Sequence, residues 1–234
     1  MPMSARHQRR QARRDERRDE LKQAAIEIFH EHGYHAARVS QIVKKVGVAQ
    51  GTFYLYFEGK QQLFAEIISD FLERVVTTVA SWEPGAIDSR EDLRDELTRV
   101  GLMLTHELLN HELSTAIFFN EAMAVAPELN ELIRHFYETL QAMLSDFNRI
   151  LCQRGLIAPM DFTILASMTI GMVERVIMER VVYGTLNEVE PRAIVDHLVM
   201  HFLTGTLEAI GPASRAGVPE DEEQPTDAAL PLKA

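Results

Sequence analysis

The sequence predicts an all-α protein on three observations. Along most of its 234 residues, apolar side chains recur three and four positions apart, which is the spacing of one buried helix face. Glycines and prolines stand where such helices would end and begin. No stretch alternates apolar and polar residues in the way that predicts a β-strand, and no segment repeats.

The first three predicted helices are short and closely spaced. Gly33 ends the first and Gly47 the second, since glycine readily closes a helix in the left-handed conformation. A third helix follows within about three residues, which is the turn length of a helix-turn-helix. The predicted inward residues are Leu21, Ala24, Ala25, Ile28, Phe29, Val39, Ile42, Val43, Val46, Phe53, Tyr56 and Phe57, and the outward arc of helix three holds Gln50, Gly51, Tyr54 and Leu55.

Longer helices fill the rest of the chain. The fourth starts near Lys60 and runs to about Ser81, and a capping signature at Ser89 starts a fifth that ends near Asn110. Proline is favoured at the first position of a helix and glycine just past its end. These signals predict helices over roughly 112–124, 127–153, 159–183 and 191–210, with Pro127, Pro159 and Pro191 as openers and Gly155, Gly184 and Gly211 after the ends. Residues 212–234 are rich in proline and acid, which predicts a disordered tail.

Charge is distributed unevenly along the chain. Residues 1–62 hold 12 lysines and arginines against 7 acidic residues, whereas the other 172 hold 12 against 28, and the net charge is −11. A basic front on an acidic body predicts a module that faces nucleic acid, joined to one that avoids it. Residues 1–20 form a basic arm, with five arginines and no acid in the first 14. It is either a mobile arm that contacts a DNA minor groove or a solvated, partly helical extension.

Cysteine content and hydropathy indicate the compartment. The single cysteine, Cys152, excludes an intrachain disulfide and a cysteine-based metal cluster. The most apolar run, 162–173, has 12 residues, whereas a membrane-spanning helix needs about 20. We therefore expect a cytoplasmic protein without a membrane partner.

A dense motif occupies residues 21–68. Its members are Gly33-Tyr34, Ile42, Gly47-Val48, Gly51-Thr52, Tyr54, Tyr56-Phe57, Lys60 and Leu63-Phe64. This pattern resembles the TetR family of bacterial transcriptional regulators. The resemblance implies an N-terminal three-helix DNA-binding domain with a helix-turn-helix, plus a larger C-terminal helical ligand-binding and dimerisation domain. Two positions depart from the family: Arg38 stands where Ser or Thr usually precedes helix two, and Ala49 where Ser often caps helix three.

The resemblance implies roles for individual residues in DNA binding. Gln50 lies early on the recognition helix, where an amide can bond adenine, and Gly51 lets the backbone approach the duplex. Tyr54 is placed for a base methyl or a phosphate, although core packing is the alternative for the tyrosines. Lys60 matches a phosphate-binding lysine at the start of helix four. The full predicted set is Arg38, Ser40, Gln50, Gly51, Thr52, Tyr54, Tyr56 and Lys60.

The resemblance also implies an apolar effector pocket between helices four to eight and a dimer interface on the last two helices. The segment GVAQGTFYLYF (47–57) is similar to regulators of fatty-acid degradation that sense acyl-coenzyme A. We therefore expect a small, largely apolar effector, such as an acyl-coenzyme A or another hydrophobic molecule. Candidate pocket residues are Met103, His106, Phe118, Asn120, Phe136, Met143, Met168, Met172 and Arg175, and small residues for the interface are Ala166, Ser167, Gly171 and Gly205.

Signals for catalysis or metal binding are weak. His197 and His201 are four residues apart on one helix, but no glutamate lies between them, so an interfacial pair is favoured over a metal site. Glu27 with His30 is the one E-x-x-H pair, and it lies in the DNA-binding part, which excludes a di-metal bundle. No G-x-S-x-G, P-loop or G-x-G-x-x-G is present. We expect no enzyme activity, cofactor or metal.

The predicted organisation is a basic arm (1–20), a DNA-binding domain (21–64), an effector-binding and dimerisation domain (65–211) and a tail (212–234). The predicted function is a ligand-responsive regulator, most often a repressor in this family, that binds a palindromic double-stranded DNA operator as a homodimer. The alternative is a protein of this fold that coats DNA or contacts another protein without a small-molecule switch. A fully packed body without a cavity would favour that alternative.

Overall fold

The computed structural model describes residues 5–122 and 129–207, and these are helical without a β-strand. Pro127, Gly211, the predicted helix end at 210 and the tail 212–234 lie outside the described residues. The helices are α1 (Ala5–Ala36), α2 (Val39–Val46), α3 (Gln50–Phe53), α4 (Lys60–Val79), α5 (Arg90–Asn110), α6 (Glu112–Ile117), α7 (Asn130–Gln153), α8 (Phe162–Ile177) and α9 (Pro191–Leu207). A π-helical segment extends α6 over Phe118–Ala122, and another extends α8 over Met178–Val182.

The predicted basic arm is helical, because α1 begins at Ala5 and not near residue 21. No glycine or proline interrupts 5–32, and the arginines, glutamines and alanines there are good helix formers. Side-chain pairs one turn apart support it, such as Gln11 with Asp15 at 2.8 Å. Over residues 5–20, the structure shows the helical extension. Gly33, with φ +75°, then breaks the helix as predicted, and its last turn ends at Ala36.

Helix starts follow the capping groups. The Ser89 hydroxyl accepts from Asp92 N–H and starts α5, as predicted, and Pro191 is the first residue of α9. The prediction that Pro159 opens α8 is wrong. The Asp161 carboxylate accepts from two N–H groups of the first turn, at 2.9 and 3.0 Å, so the helix begins at residue 162.

Two hydrophobic clusters form the core. The first joins α1–α4 to α6 and α7, with Phe29, Phe53, Phe64 and Phe118 among its fully buried rings. The second lies between α5, α7 and α9 around Leu93 and Leu151. The predicted domain boundary at residue 64 falls inside α4, which is one continuous helix. The buried residues of α4 belong to the first cluster along the length of the helix.

Ion pairs hold the N-terminal helices against α4. Arg18 of α1 pairs with Glu66 and donates to the backbone oxygen of Tyr56 at 3.1 Å, and its guanidinium lies 4.6 Å from the centre of the Phe57 ring. Lys22 pairs with Asp70 at 2.7 Å. Arg18 therefore belongs to the folded helix-turn-helix module, although the sequence placed it in the arm.

Candidate nucleic-acid interface and ligand cavity

The turn between α2 and α3 has the predicted geometry. Gly47 adopts φ +76° and ends α2, with its N–H directed at the carbonyls of that helix. Ala49 stands at the N-cap of α3 and offers no side-chain hydrogen bond. The third helix is shorter than predicted, since α3 ends at Phe53 and the chain continues as a hydrogen-bonded turn to Phe57. The buried rings of Phe53 and Phe57 anchor this uncapped segment.

One face of this segment is open to solvent. Tyr54 and Leu55 are 54% and 71% exposed, and Gln50 and Gly51 are exposed beside them. A Cβ added to Gly51 would meet no atom within 4 Å, so packing within the chain does not require glycine there. An apolar and amide surface of this kind is available to a partner outside the fold.

The other predicted DNA contacts differ in exposure. Arg38 and Ser40 are exposed at the start of α2. The Arg38 N–H donates to Gln41 Oε1 at 2.8 Å, which is half of a capping box, because a guanidinium cannot accept the reciprocal bond. Thr52 and Tyr56 are partly buried, and the Tyr56 ring packs against the first hydrophobic cluster. For Tyr56, the alternative of core packing therefore accounts for much of the side chain.

Lys60 has partners that the sequence did not predict. Its Nζ donates to the backbone oxygens of Tyr34, His35 and Ala37, at 2.6, 3.2 and 3.0 Å. These carbonyls lie where the chain leaves α1, so the ammonium caps that helix end. Burial lowers the pKa of Lys60. An ammonium has three donors, and all three are used within the chain, so a phosphate contact would have to replace one of them.

A cavity of about 180 Å³ lies in the body, between α4, α5, α7, α8, α9 and the π-helical segment after α6. Phe71, Phe118 and Phe136 contribute to its wall from the first hydrophobic cluster, and Phe147 and Phe202 from the second. Apolar side chains form nearly all of the wall. The cavity therefore lies where the two clusters meet.

Of the nine predicted pocket residues, only Phe118, Phe136 and Met172 line this cavity. Met143 packs against the first cluster outside the lining. The others are exposed, because they lie on the outer faces of their helices: Met103, His106, Asn120, Met168 and Arg175. Arg175 pairs outward with Glu179, and His106 lies beside Asn110 on the surface. Neither places a polar group in the cavity.

The sequence missed the polar residues that do line the cavity. Thr105 and Thr169 donate to carbonyls of their own helices, at 2.8 and 2.9 Å. Asn148 is 2% exposed, and Glu174 accepts from the Tyr137 hydroxyl. Burial raises the pKa of the Glu174 carboxyl, and burial together with Glu174 raises the pKa of the Tyr137 phenol. The only sequence signal was that Glu174 is the first charge after the apolar run 162–173.

The last two helices present apolar side chains outward. Ile164 and Met168 on α8 and Met200 on α9 are 59%, 64% and 59% exposed. Gly171 and Gly205 are exposed, as an interface requires, and Ser167 is exposed and accepts from Gln141 at 2.7 Å. The prediction for Ala166 is wrong, since it is fully buried within its own chain.

His197 and His201 are both exposed. Within the part of the chain that the structure describes, no group of three metal-binding side chains converges. No helix among those residues is long and apolar enough to cross a membrane.

A carboxylate connects the body to the helix-turn-helix module. Glu121 lies in the π-helical segment that also supplies Phe118 to the cavity wall. Its Oε2 accepts from Tyr34 N–H at 3.3 Å, and its Oε1 lies 3.2 Å from the position that a Cβ would take on Gly33. Tyr34 is the residue whose carbonyl Lys60 binds, so the same turn is held from both sides.

Comparison with known proteins supports these observations. Residues 21–67 match the model for bacterial regulatory proteins of the tetR family. The helix-turn-helix-type regulator YdgC of Bacillus subtilis is 53% identical over 55 residues, which are 24% of this chain and 28% of YdgC. The fatty acid metabolism regulator protein of B. subtilis is 28% identical over 137 residues, which are 53% of this chain and 63% of that protein. The matched region thus covers less than two thirds of either relative.

A solved structure extends the likeness to the body. FadR of Bacillus subtilis, in complex with stearoyl-CoA, aligns with a TM-score of 0.60 and 24% identity over 80% of this chain and 97% of that one. The turn between α2 and α3 and the exposed face of α3 have the arrangement of a helix-turn-helix. Residues 21–67 carry the DNA-binding domain of the TetR family of bacterial transcriptional regulators, so the resemblance of residues 21–68 is confirmed. The all-α fold is confirmed as well.

Proposed function

We propose that the protein is a dimeric, ligand-responsive regulator that binds operator DNA through α2 and α3. The observation that carries this proposal is that Gln50, Gly51 and Tyr54 are exposed while the aromatic rings beside them anchor the segment. Arg38, Ser40 and Thr52 are proposed to contact the duplex at the edges, and Tyr56 and Lys60 to hold the turn in place with less direct contact. The DNA-binding role of each residue is part of the proposal.

The effector is proposed to bind in the body cavity. A cavity of about 180 Å³ is close to the ~150 Å³ that holds benzene, and below the ~300–1,000 Å³ of sites for drug-sized ligands. A small apolar molecule therefore fits the cavity as it stands, whereas a long acyl chain would require the helices to separate. The fatty acid metabolism regulator and the stearoyl-CoA complex support a hydrophobic effector.

The switch is proposed to act through two connections. α4 begins beside Tyr34 through Lys60 and reaches the cavity wall at Phe71, and the segment after α6 joins Phe118 to Glu121. An effector that binds the state with displaced helices more tightly would shift the equilibrium between the two states toward it. The size of this shift is limited by the difference between the effector's affinities for the two states. In a symmetric dimer the two recognition helices must lie about 34–36 Å apart, or a multiple of that, to enter successive grooves.

The dimer face is proposed to be α8 and α9. The exposed Ile164, Met168 and Met200 are larger and more apolar than a solvated surface favours, and Gly171 and Gly205 allow close approach. The alternative of a DNA-coating or protein-binding factor without a ligand gains no support from the body, because a fully packed body would favour it and a cavity is present. Since the relatives reported above are regulators, we propose a non-enzymatic role.

Selection from random double-stranded DNA tests the proposal. The purified full chain should be dimeric by light scattering and should enrich an inverted repeat whose half-sites are about 10 base pairs apart, or a multiple. Mass spectrometry of molecules that copurify with the dimer would then identify an effector, and adding it back should change operator affinity. Binding of all sequences alike, unaffected by any copurified molecule, would favour the DNA-coating alternative.

A further inference from the structure

The ionisable part of the described cavity wall is acidic and includes no base. Among the described lining residues there is no lysine, arginine or histidine, and Glu174 is the only ionisable side chain. The sequence of 123–128, which follows the π-helical segment, adds no basic residue either. An anionic head group placed among these lining residues would meet a carboxylate and no counter-charge.

Glu174 has unused capacity to bind a ligand. The Tyr137 hydroxyl donates to its Oε1, whereas Oε2 accepts no hydrogen bond from the residues that the structure describes. The adjacent cation, Arg175, is exposed and pairs with Glu179, not with Glu174. Burial raises the pKa of the Glu174 carboxyl, as expected of a carboxylate that is partly desolvated without an ion pair.

A ligand can supply the missing charge. A partly desolvated carboxylate without an ion pair is costly, and a cation that arrives with the ligand offsets this cost. We propose, on the basis of the ligand-responsive function above, that the cavity recognises a small apolar molecule bearing a basic nitrogen, whose ammonium binds Glu174. The apolar body of that molecule lies against the aromatic wall. A fatty acid or another carboxylate is disfavoured at this end of the cavity.

Asn148 provides a second polar group in the cavity wall, and its neutral carboxamide does not favour a cationic or an anionic ligand. It is buried in the cavity wall, and its carboxamide makes no hydrogen bond with the described residues. It lies eleven positions after Tyr137 on α7, which is about 16 Å along the helix axis, so it is well separated from the partner of Glu174. A carboxamide both donates and accepts, and it can therefore bind either kind of polar group on a longer ligand.

Three probes of equal chain length test the charge preference. Hexylamine, hexan-1-ol and hexanoate share an apolar chain of a size that suits the cavity, and at pH 7.5 they are cationic, neutral and anionic. Trp82 is the only tryptophan and lines the cavity, so its fluorescence reports binding. Hexylamine should bind the unsubstituted dimer about tenfold or more tightly than hexan-1-ol, because a hydrogen bond between charged groups is stronger than one made by a neutral hydroxyl, and hexanoate should bind weakest.

Glu174→Gln links the preference to this residue. Glutamine has the same shape and keeps an acceptor for Tyr137, so hexylamine affinity should fall about tenfold while hexan-1-ol affinity stays within about threefold. The control is Glu138→Gln, which changes net charge equally at an exposed residue beside Tyr137 and should leave all three affinities unchanged. Hexanoate binding as tightly as hexylamine would overturn the inference even if the variant proved unstable, and so would an unchanged hexylamine affinity in Glu174→Gln. If none of the probes binds, the cavity itself fails as a ligand site, and the proposed function loses its effector pocket as well.

Discussion

Replacing Lys60 by methionine distinguishes a structural cap from a phosphate contact. Methionine keeps an unbranched stem of similar length but removes the ammonium that bonds the oxygens of Tyr34, His35 and Ala37. A hydrogen bond from a charged donor is worth about 1.5–3 kcal/mol, but three bonds to one partly exposed ammonium do not add. We therefore expect a loss of about 2 kcal/mol in the free energy of unfolding, or roughly 4–8 °C in Tm for a chain of this size.

The measurements are thermal unfolding at fixed protein concentration and the salt dependence of operator binding. A structural cap predicts a lower Tm with an unchanged slope of log affinity against log salt, whereas a phosphate contact predicts a slope reduced by about one unit. Lys44→Met is the matched control, because Lys44 is exposed and has no ion pair in the described structure, so its Tm should change by less than about 2 °C. A Lys60→Met variant with unchanged Tm and a reduced slope would refute the cap.

Three further predictions follow from the contacts described above. Tyr54→Ala should weaken operator binding about two- to tenfold in an anisotropy assay. The control is Tyr183→Ala, which removes an equally exposed ring (54%) from the body and should leave operator affinity unchanged. Equal operator affinities for the two variants would argue against DNA binding by the exposed face of α3. Gly101→Ala should lower the free energy of unfolding in urea by about 1–3 kcal/mol, because the new Cβ would lie 2.8 Å from Val195 Cγ1. Adding Val195→Ala should recover part of that loss. If the effects of the two substitutions on the free energy of unfolding are simply additive, this contact is contradicted. Glu174→Gln should become more stable relative to the unsubstituted protein as the pH rises above 4.5, the ordinary pKa of a glutamate carboxyl. A carboxyl whose pKa is raised in the folded state stabilises the fold while it is protonated, and that contribution is lost at higher pH. A difference in the free energy of unfolding that does not change with pH would refute this.

The parts of the fold that local chemistry determines were predictable. Gly33 and Gly47 take the positive φ angles expected of helix ends, and Ser89 caps α5 through Asp92. Pro159 failed because proline is only permissive at a helix start, whereas the Asp161 carboxylate two residues later satisfies two free N–H groups. The N-terminal extension of α1 was left open, since helix propensity alone does not decide between a solvated helix and a mobile arm.

The cavity could not be predicted because its members depend on the rotation of each long helix. Arg175 and Glu174 are neighbours in the sequence, yet one is exposed and the other lines the cavity, and no local signal separates them. Met168 was a predicted pocket residue, but it lies exposed on the outer face of α8. The exposed face of α3 was predictable, because there the turn fixes which residues point away from the core.

The contacts around Tyr34 offer the proposed ligand switch a path from the body cavity to the exposed face of α3. Lys60 binds its carbonyl from α4, and Glu121 binds its N–H from the segment that carries Phe118. Both supports belong to elements that also line the cavity, so a ligand that moves either element changes how this turn is held. Glycine at position 33 lets the Glu121 carboxylate approach the backbone, since a Cβ there would lie 3.2 Å from Oε1 and φ is positive. Under the proposed switch, the loss of either polar contact should therefore uncouple ligand binding from DNA affinity without abolishing the ligand site.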